Sequence, residues 1–175
     1  MNLDLYIIDA FTSQPFGGNP AAVCPLKEWL PDELMLKIAA QNNLSETAFF
    51  IPKEHGFHIR WFTPTVEMDL CGHATLASAF VLKEFLKYEK EKLSFDSRSG
   101  PLYVNFLSSG KIELDFPASP PSPNKDKAQV EALLNLKVQD LHETDSWCVA
   151  ELNSEKEVLD FKPDAGQIQQ LSKSI

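Results

Sequence analysis

A chain of 175 residues with 43% hydrophobic content and twelve Phe has side chain enough for a buried core, which excludes global disorder. A formal charge of −9 leaves no broad basic surface for phosphates, so nucleic acid and anionic membranes are not expected partners and a small metabolite is. The length suits one large domain, or one domain plus part of another.

Leu3–Phe11 reads as a strand. The run is interrupted by Asp4, closed by Asp9 and lacks a basic lead, unlike a signal peptide. Phe16-Gly17-Gly18-Asn19-Pro20 is a turn, Ala21–Cys24 a second strand, and a helix opens at Pro31. Proline in its first turn, then Asp32 and Glu33, suit the positive end of the helix dipole; Leu34 and Ile38 share a face, and the helix should end near Asn42 and Asn43. Phe57, Ile59 and Trp61 alternate with His58 and Arg60 as in a half-buried strand, which Thr63-Pro64 stops.

From Cys71 the period becomes helical. Leu76, Ala79, Phe80, Lys83 and Leu86 predict one apolar stripe, with Lys83 its polar intruder, in a helix reaching about Tyr88. Leu102, Val104 and Phe106 then face Ile112, Leu114 and Phe116 across Ser108-Ser109-Gly110-Lys111 as a hairpin. The class is α+β, with strands pairing locally around one long helix.

Residues 1–118 form the expected first domain and the proline-rich 119–124 a stiff linker. Residues 125–175 are the incomplete start of a second domain, with a helix over Ala128–Leu136, a strand over Ser146–Leu152 and a short helix over Ala165–Ser172. That stretch is too short for a second core of ordinary size. No apolar stretch is long enough to span a bilayer. Cys24, Cys71 and Cys148 are odd in number and form no close pair, which favours a reducing cytoplasm over a disulfide framework or metal site.

Glu46, in Asn43-Leu44-Ser45-Glu46-Thr47-Ala48-Phe49, links a helix to an apolar strand. It can act as a general base if packing raises its pKa, but taken alone it reads first as a solvated loop acid or local cap, since most acids are surface acids. In Asp69-Leu70-Cys71-Gly72-His73-Ala74-Thr75 the change of period puts Gly72 and His73 at a helix N-terminus. Free N–H groups and the dipole there suit a substrate carboxylate, and glycine admits a ligand to the backbone; the alternative is a packing glycine with a structural histidine. Cys71 is open in the same way, between a thiol active in proton transfer and a buried one. Gly17-Gly18 lacks a phosphate-loop spacing, His55 and His58 lack a third zinc ligand, and Arg60 and Arg98 read as salt-bridge partners before substrate anchors.

Taken together, Asp9-Ala10-Phe11-Thr12, Phe16-x-Gly18-Asn19-Pro20-Ala21-Ala22-Val23-Cys24, Leu44-Ser45-Glu46-Thr47-Ala48-Phe49, Arg60-Trp61-Phe62-Thr63-Pro64 and Leu70-Cys71-Gly72-His73-Ala74-Thr75-Leu76-Ala77 resemble the PhzF family of phenazine-biosynthesis-like isomerases. The resemblance implies a diaminopimelate-epimerase-like fold of two similar domains, each a sheet wrapped around a central helix, with the active site between them. It also implies a cofactor-free, metal-free proton transfer on a small carboxylate-bearing substrate, and a cytoplasmic homodimer. The Ser-Glu-Thr glutamate, here Glu46, becomes the acid/base, and Gly72 and His73, with Cys71 beside them, line the substrate pocket. The family's second-half Asp-Pro-x-Thr-Gly-Ser motif does not occur in this chain, so the chain is expected to be truncated. Two other readings follow: a Cys71-dependent racemase or epimerase with Cys148 as the only downstream thiol, and an inactive remnant serving as a binding or dimerisation module.

Overall fold

The computed structural model describes residues 2–145 and 147–171, and the chain divides into two compact units, Met1–Pro117 and Ala118–Ile175. Ser146 and Ser172, at the ends of an expected strand and an expected helix, lie outside the described residues.

The first unit runs β1 (Tyr6–Ala10), β2 (Asn19–Pro25), α1 (Asp32–Asn42), β3 (Glu46–Pro52), β4 (Phe57–Phe62), β5 (Glu67–Met68), α2 (Gly72–Glu84), β6 (Lys92–Ser97), β7 (Gly100–Phe106) and β8 (Ile112–Asp115). Its strands form a sheet in the order β1-β2-β3-β4-β6-β7-β8, with β5 attached to β4. The two parallel pairs, β2 with β3 and β4 with β6, are those whose connections contain a helix, α1 and α2 respectively. A parallel neighbour needs a crossover, and a helix supplies it. α2 touches β1, β2, β3 and, from the far edge of the sheet, β8, so the sheet curls around it.

The middle strands are covered on both faces. Ala21 and Val23 of β2, Ala48 and Phe50 of β3, and Ile59 and Trp61 of β4 pack in the core around α2. Cys24, Phe49 and Phe62, of opposite parity on the same strands, pack with Met35 and Ala39 of α1. This two-sided burial explains why Ala48–Ile51 is apolar without alternation.

α2 departs from its expected face. Of the expected stripe, Ala79 is buried, but Phe80 is 38% exposed and Leu86, beyond the helix end, 42%; the buried face runs through Ala74, Ala77, Ser78, Val81 and Leu82. A helix sheathed by a sheet needs small residues where backbones approach, and its bulky ones move to the open side. Lys83 stays half-buried with Nζ over the Phe106 ring. The helix ends at Glu84, short of Tyr88, where Lys87 turns left-handed (φ 57°) and the Leu86 and Tyr88 amides donate to the Val81 and Leu82 carbonyls. On α1 the buried pair is Met35 and Ala39, one position on from the expected Leu34 and Ile38.

β1 is shorter than Leu3–Phe11, because Phe11 adopts φ 63° and leaves the ladder. Gly18 (φ 67°) completes the return: a Cβ there would lie 2.1 Å from the Ala10 carbonyl oxygen. The β7–β8 hairpin has the expected register, with Val104 opposite Leu114 and Phe106 opposite Ile112.

The second unit contains β9 (Ser122–Pro123), α3 (Lys127–Leu134), β10 (Asp140–Glu143), β11 (Cys148–Glu151), α4 (Glu155–Asp160) and α5 (Ala165–Ile168), with the sheet order β11-β10-β9. Its small core gathers Val130, Leu134, Val138, Leu141 and Cys148. Three features go beyond the sequence reading: the proline segment lends Ser122–Pro123 to an edge ladder, and β10 and α4 form where no element was expected. The signal for α4 was present, since Ser154 caps it by accepting from the Glu157 amide at 3.2 Å, as in a Ser-x-x-Glu capping box. Among the described residues no helix is long and apolar enough to cross a membrane.

Candidate active site

Parallel pairing of β2 with β3 sets Ala21 opposite Glu46, so Asn19 and Ser45 emerge at the same end of adjacent strands. Ser45 Oγ donates to Asn19 Oδ1 at 3.2 Å. The start of α2 comes to the same place, with Cys71 as its N-cap residue and Gly72 and His73 opening the first turn.

His73 is the hub. Its Nε2 lies 3.3 Å from Glu46 Oε2 and 3.4 Å from Ser45 Oγ, and its Nδ1 lies 3.5 Å from Cys71 Sγ. With the Ser45 hydroxyl proton directed at Asn19, the network assigns the Nε2 proton to the side facing Ser45 and Glu46. The His73 and Glu46 side chains are 10% and 16% exposed, so the ensemble is largely withdrawn from solvent. Gly72 would place a Cβ with nothing within 4 Å, which leaves the backbone at the helix N-terminus open to an approaching ligand.

Cys71 is buried beside this network. Burial pushes its thiol up to about 12; the Ala74 amide against the sulfur opposes that rise, and the Glu46 carboxylate adds to it. The group is therefore a neutral thiol at physiological pH. Glu46, Cys71 and His73 each present a donor atom within 4.8 Å of the other two.

Other sequence candidates lie elsewhere. Arg60 donates to both Glu67 oxygens at 2.7 Å and to Asp32 at 2.8 Å, and its guanidinium lies over Trp29 and Phe62. Arg98 Nη2 lies 2.5 Å from Glu67 Oε2. Both arginines thus form salt bridges within the fold. His58 packs edge-on against Trp29, and His55 is exposed beside Glu54. A concavity of about 870 Å³ also lies apart from the cluster: it is a mainly apolar groove between the two sheet edges, lined by Ile7, Phe11, Leu76, Phe80 and Ile112 among others. Asp9, Thr12, Ser13 and Lys111 also line it, but the residues of the motifs that carry proton chemistry do not, so the buried cluster of Glu46, Cys71 and His73 is the chemical candidate.

Sequence reasoning missed Asn19 and Ser45 as participants. Both stand in the recognised motifs, but their meeting depends on the β2–β3 register, which no local pattern states.

The model of the phenazine biosynthesis-like protein family (PhzC-PhzF) matches residues 8–175. The chain belongs to that family. It is 47% identical over 172 residues to an uncharacterized isomerase of Pseudomonas aeruginosa, covering 98% of this chain and 65% of that one. It is 45% identical over 155 residues to the human phenazine biosynthesis-like domain-containing protein, covering 81% and 53%. A PhzF-family crystal structure from Enterococcus faecalis superposes with a TM-score of 0.89 at 40% identity, over 100% of this chain and 66% of that one. A Pseudomonas aeruginosa protein described as a predicted epimerase shares the fold alone, with a TM-score of 0.75 at 17% identity, over 99% of this chain and 68% of that one. The fold is therefore the PhzF, diaminopimelate-epimerase-like one, and this PhzF-family chain spans about 65% of the length of the curated Pseudomonas relative.

Proposed function

We propose that the chain carries the proton-handling half of a PhzF-type isomerase site, in which Glu46 removes and returns a proton on a small carboxylate-bearing metabolite without a cofactor. The observation that carries this reading is the Glu46 carboxylate 3.3 Å from His73 Nε2 at the N-terminus of α2. A carboxylate in a partly dry setting can take up and release a proton, and the imidazole beside it orients it. The amides at Gly72 and His73, with the helix dipole behind them, suit the substrate carboxylate, and the open space over Gly72 admits it. The names of the bacterial relatives support the isomerase class.

Cys71 makes the weaker base, because a thiol raised to about 12 is almost wholly protonated at neutral pH. The test is solvent-proton exchange: a panel of unsaturated and α-substituted carboxylates is incubated with the chain in deuterium oxide and read by NMR. Wild type should place deuterium at one carbon, and Glu46→Gln should slow this by about 10²- to 10⁴-fold while ligand binding persists. Exchange by Glu46→Gln at the wild-type rate would remove Glu46 from the role.

A further inference from the structure

Beyond proton transfer, the same side chains carry a second chemistry. Glu46, Cys71 and His73 offer one oxygen, one sulfur and one nitrogen within 4.8 Å of one another. We propose that these three donors form a binding site for a zinc-type divalent cation.

The donor set decides the kind of ion. Thiolate and imidazole select zinc and its neighbours, whereas magnesium and calcium take oxygen shells. Three protein ligands with an open fourth position are the pattern of zinc sites that keep a place for water or a ligand. The distances are close to what the ion demands. Zinc–ligand bonds of about 2.0–2.3 Å in a tetrahedron put donor atoms roughly 3.3–3.7 Å apart. His73 Nε2 to Glu46 Oε2 is 3.3 Å and His73 Nδ1 to Cys71 Sγ is 3.5 Å. A single ring nitrogen can bind the ion, so one of these two partners sits at a tetrahedral edge and the other, within 4.8 Å, closes in by about 1 Å.

The surroundings suit the bound form. Ser45, backed by Asn19, lies at the ring's Nε2 side and fixes the imidazole from outside the three donors. One thiolate and one carboxylate neutralise the dication, so the buried cluster gains no net charge. An ion there occupies lone pairs that a proton would otherwise take and thus silences Glu46.

The experiment is a titration of the whole chain with zinc chloride by calorimetry, and with cobalt chloride by absorption spectroscopy. One zinc per chain is expected, together with a thiolate-to-cobalt charge-transfer band and the intense visible bands of four-coordinate cobalt. Cys71→Ser, which keeps the size and fold, should abolish the charge-transfer band and weaken zinc binding by about 100-fold or more, and Glu46→Gln should weaken it likewise. Equal affinity in Cys71→Ser, a cobalt complex without the sulfur band, or magnesium binding as tightly as zinc would overturn the proposal. Binding is read without turnover, so its failure leaves the proton-transfer reading standing, and the reverse also holds.

Discussion

In the proposed proton transfer the state of the Cys71 thiol separates Glu46 from Cys71 as the base, and its reactivity reports that state. An ordinary thiol titrates near ~8.5, whereas burial takes Cys71 to about 12. The thiolate fraction at neutral pH is then lower by roughly 3.5 orders of magnitude, while the greater intrinsic nucleophilicity of a more basic thiolate returns about 1.5 of them. Iodoacetamide should therefore alkylate Cys71 about 100-fold more slowly in the native chain than in the same chain unfolded in urea, before any steric effect of burial is added. The assay follows the Cys71 peptide by mass spectrometry at timed quenches, with the urea-unfolded chain as reference. The native rate should climb about tenfold per pH unit beyond pH 9 without levelling. Alkylation of native Cys71 as fast as in urea would refute the reasoning, because it would mean a thiol with an ordinary thiolate fraction, and only a faster rate would pass the proton chemistry to Cys71.

Two further outcomes test the framework around the site. Glu67 is 11% exposed and receives both Arg60 and Arg98, so Glu67→Gln leaves the 12%-exposed Arg60 without its bidentate partner. A loss of about 3 kcal/mol, the low end for a broken buried pair because Asp32 remains, should lower Tm by about 10 °C; calorimetry finding under about 1 kcal/mol would place the pair among surface bridges. Alkaline stability provides the other. Cys24 at about 11 and Cys71 at about 12 hold their protons longer in the folded state than in the unfolded one. Above about pH 8.5 the unfolded chain therefore binds fewer protons, so stability falls as pH rises towards 11–12. Urea midpoints between pH 7 and 10 should fall, and a Cys24→Ala/Cys71→Ser double variant should flatten the fall; an unchanged slope would refute it.

Much of the first unit was legible because its signals are local. Turn glycines, the Pro31 helix start and the β7–β8 alternation each follow from a few adjacent residues. The buried face of α2 was legible only in part: Ala79 is buried as expected, but Leu76 and Phe80 are more hydrophobic than the inner Ala74, Ala77 and Ser78, and ordinary amphipathic logic draws them to the inside. Only knowledge that a sheet encloses the helix reverses the choice. The site divides along the same line. Glu46, Cys71, Gly72 and His73 stood in recognisable motifs, and the structure gathers Glu46, Cys71 and His73 around one imidazole. Asn19 and Ser45 required the strand register, a long-range fact.

The central helix also changes how mutations in this protein should be sorted. His73 is held by the interior that grips α2 at Ala77, Ala79 and Val81, residues at most 1% exposed. Lining and core are usually separate inventories, one answerable to chemistry and the other to packing. Here they share a single rod: a methyl group added at its buried middle is transmitted along its axis to the imidazole. Interior substitutions in this chain are, in effect, adjustments to the alignment of its reactive groups.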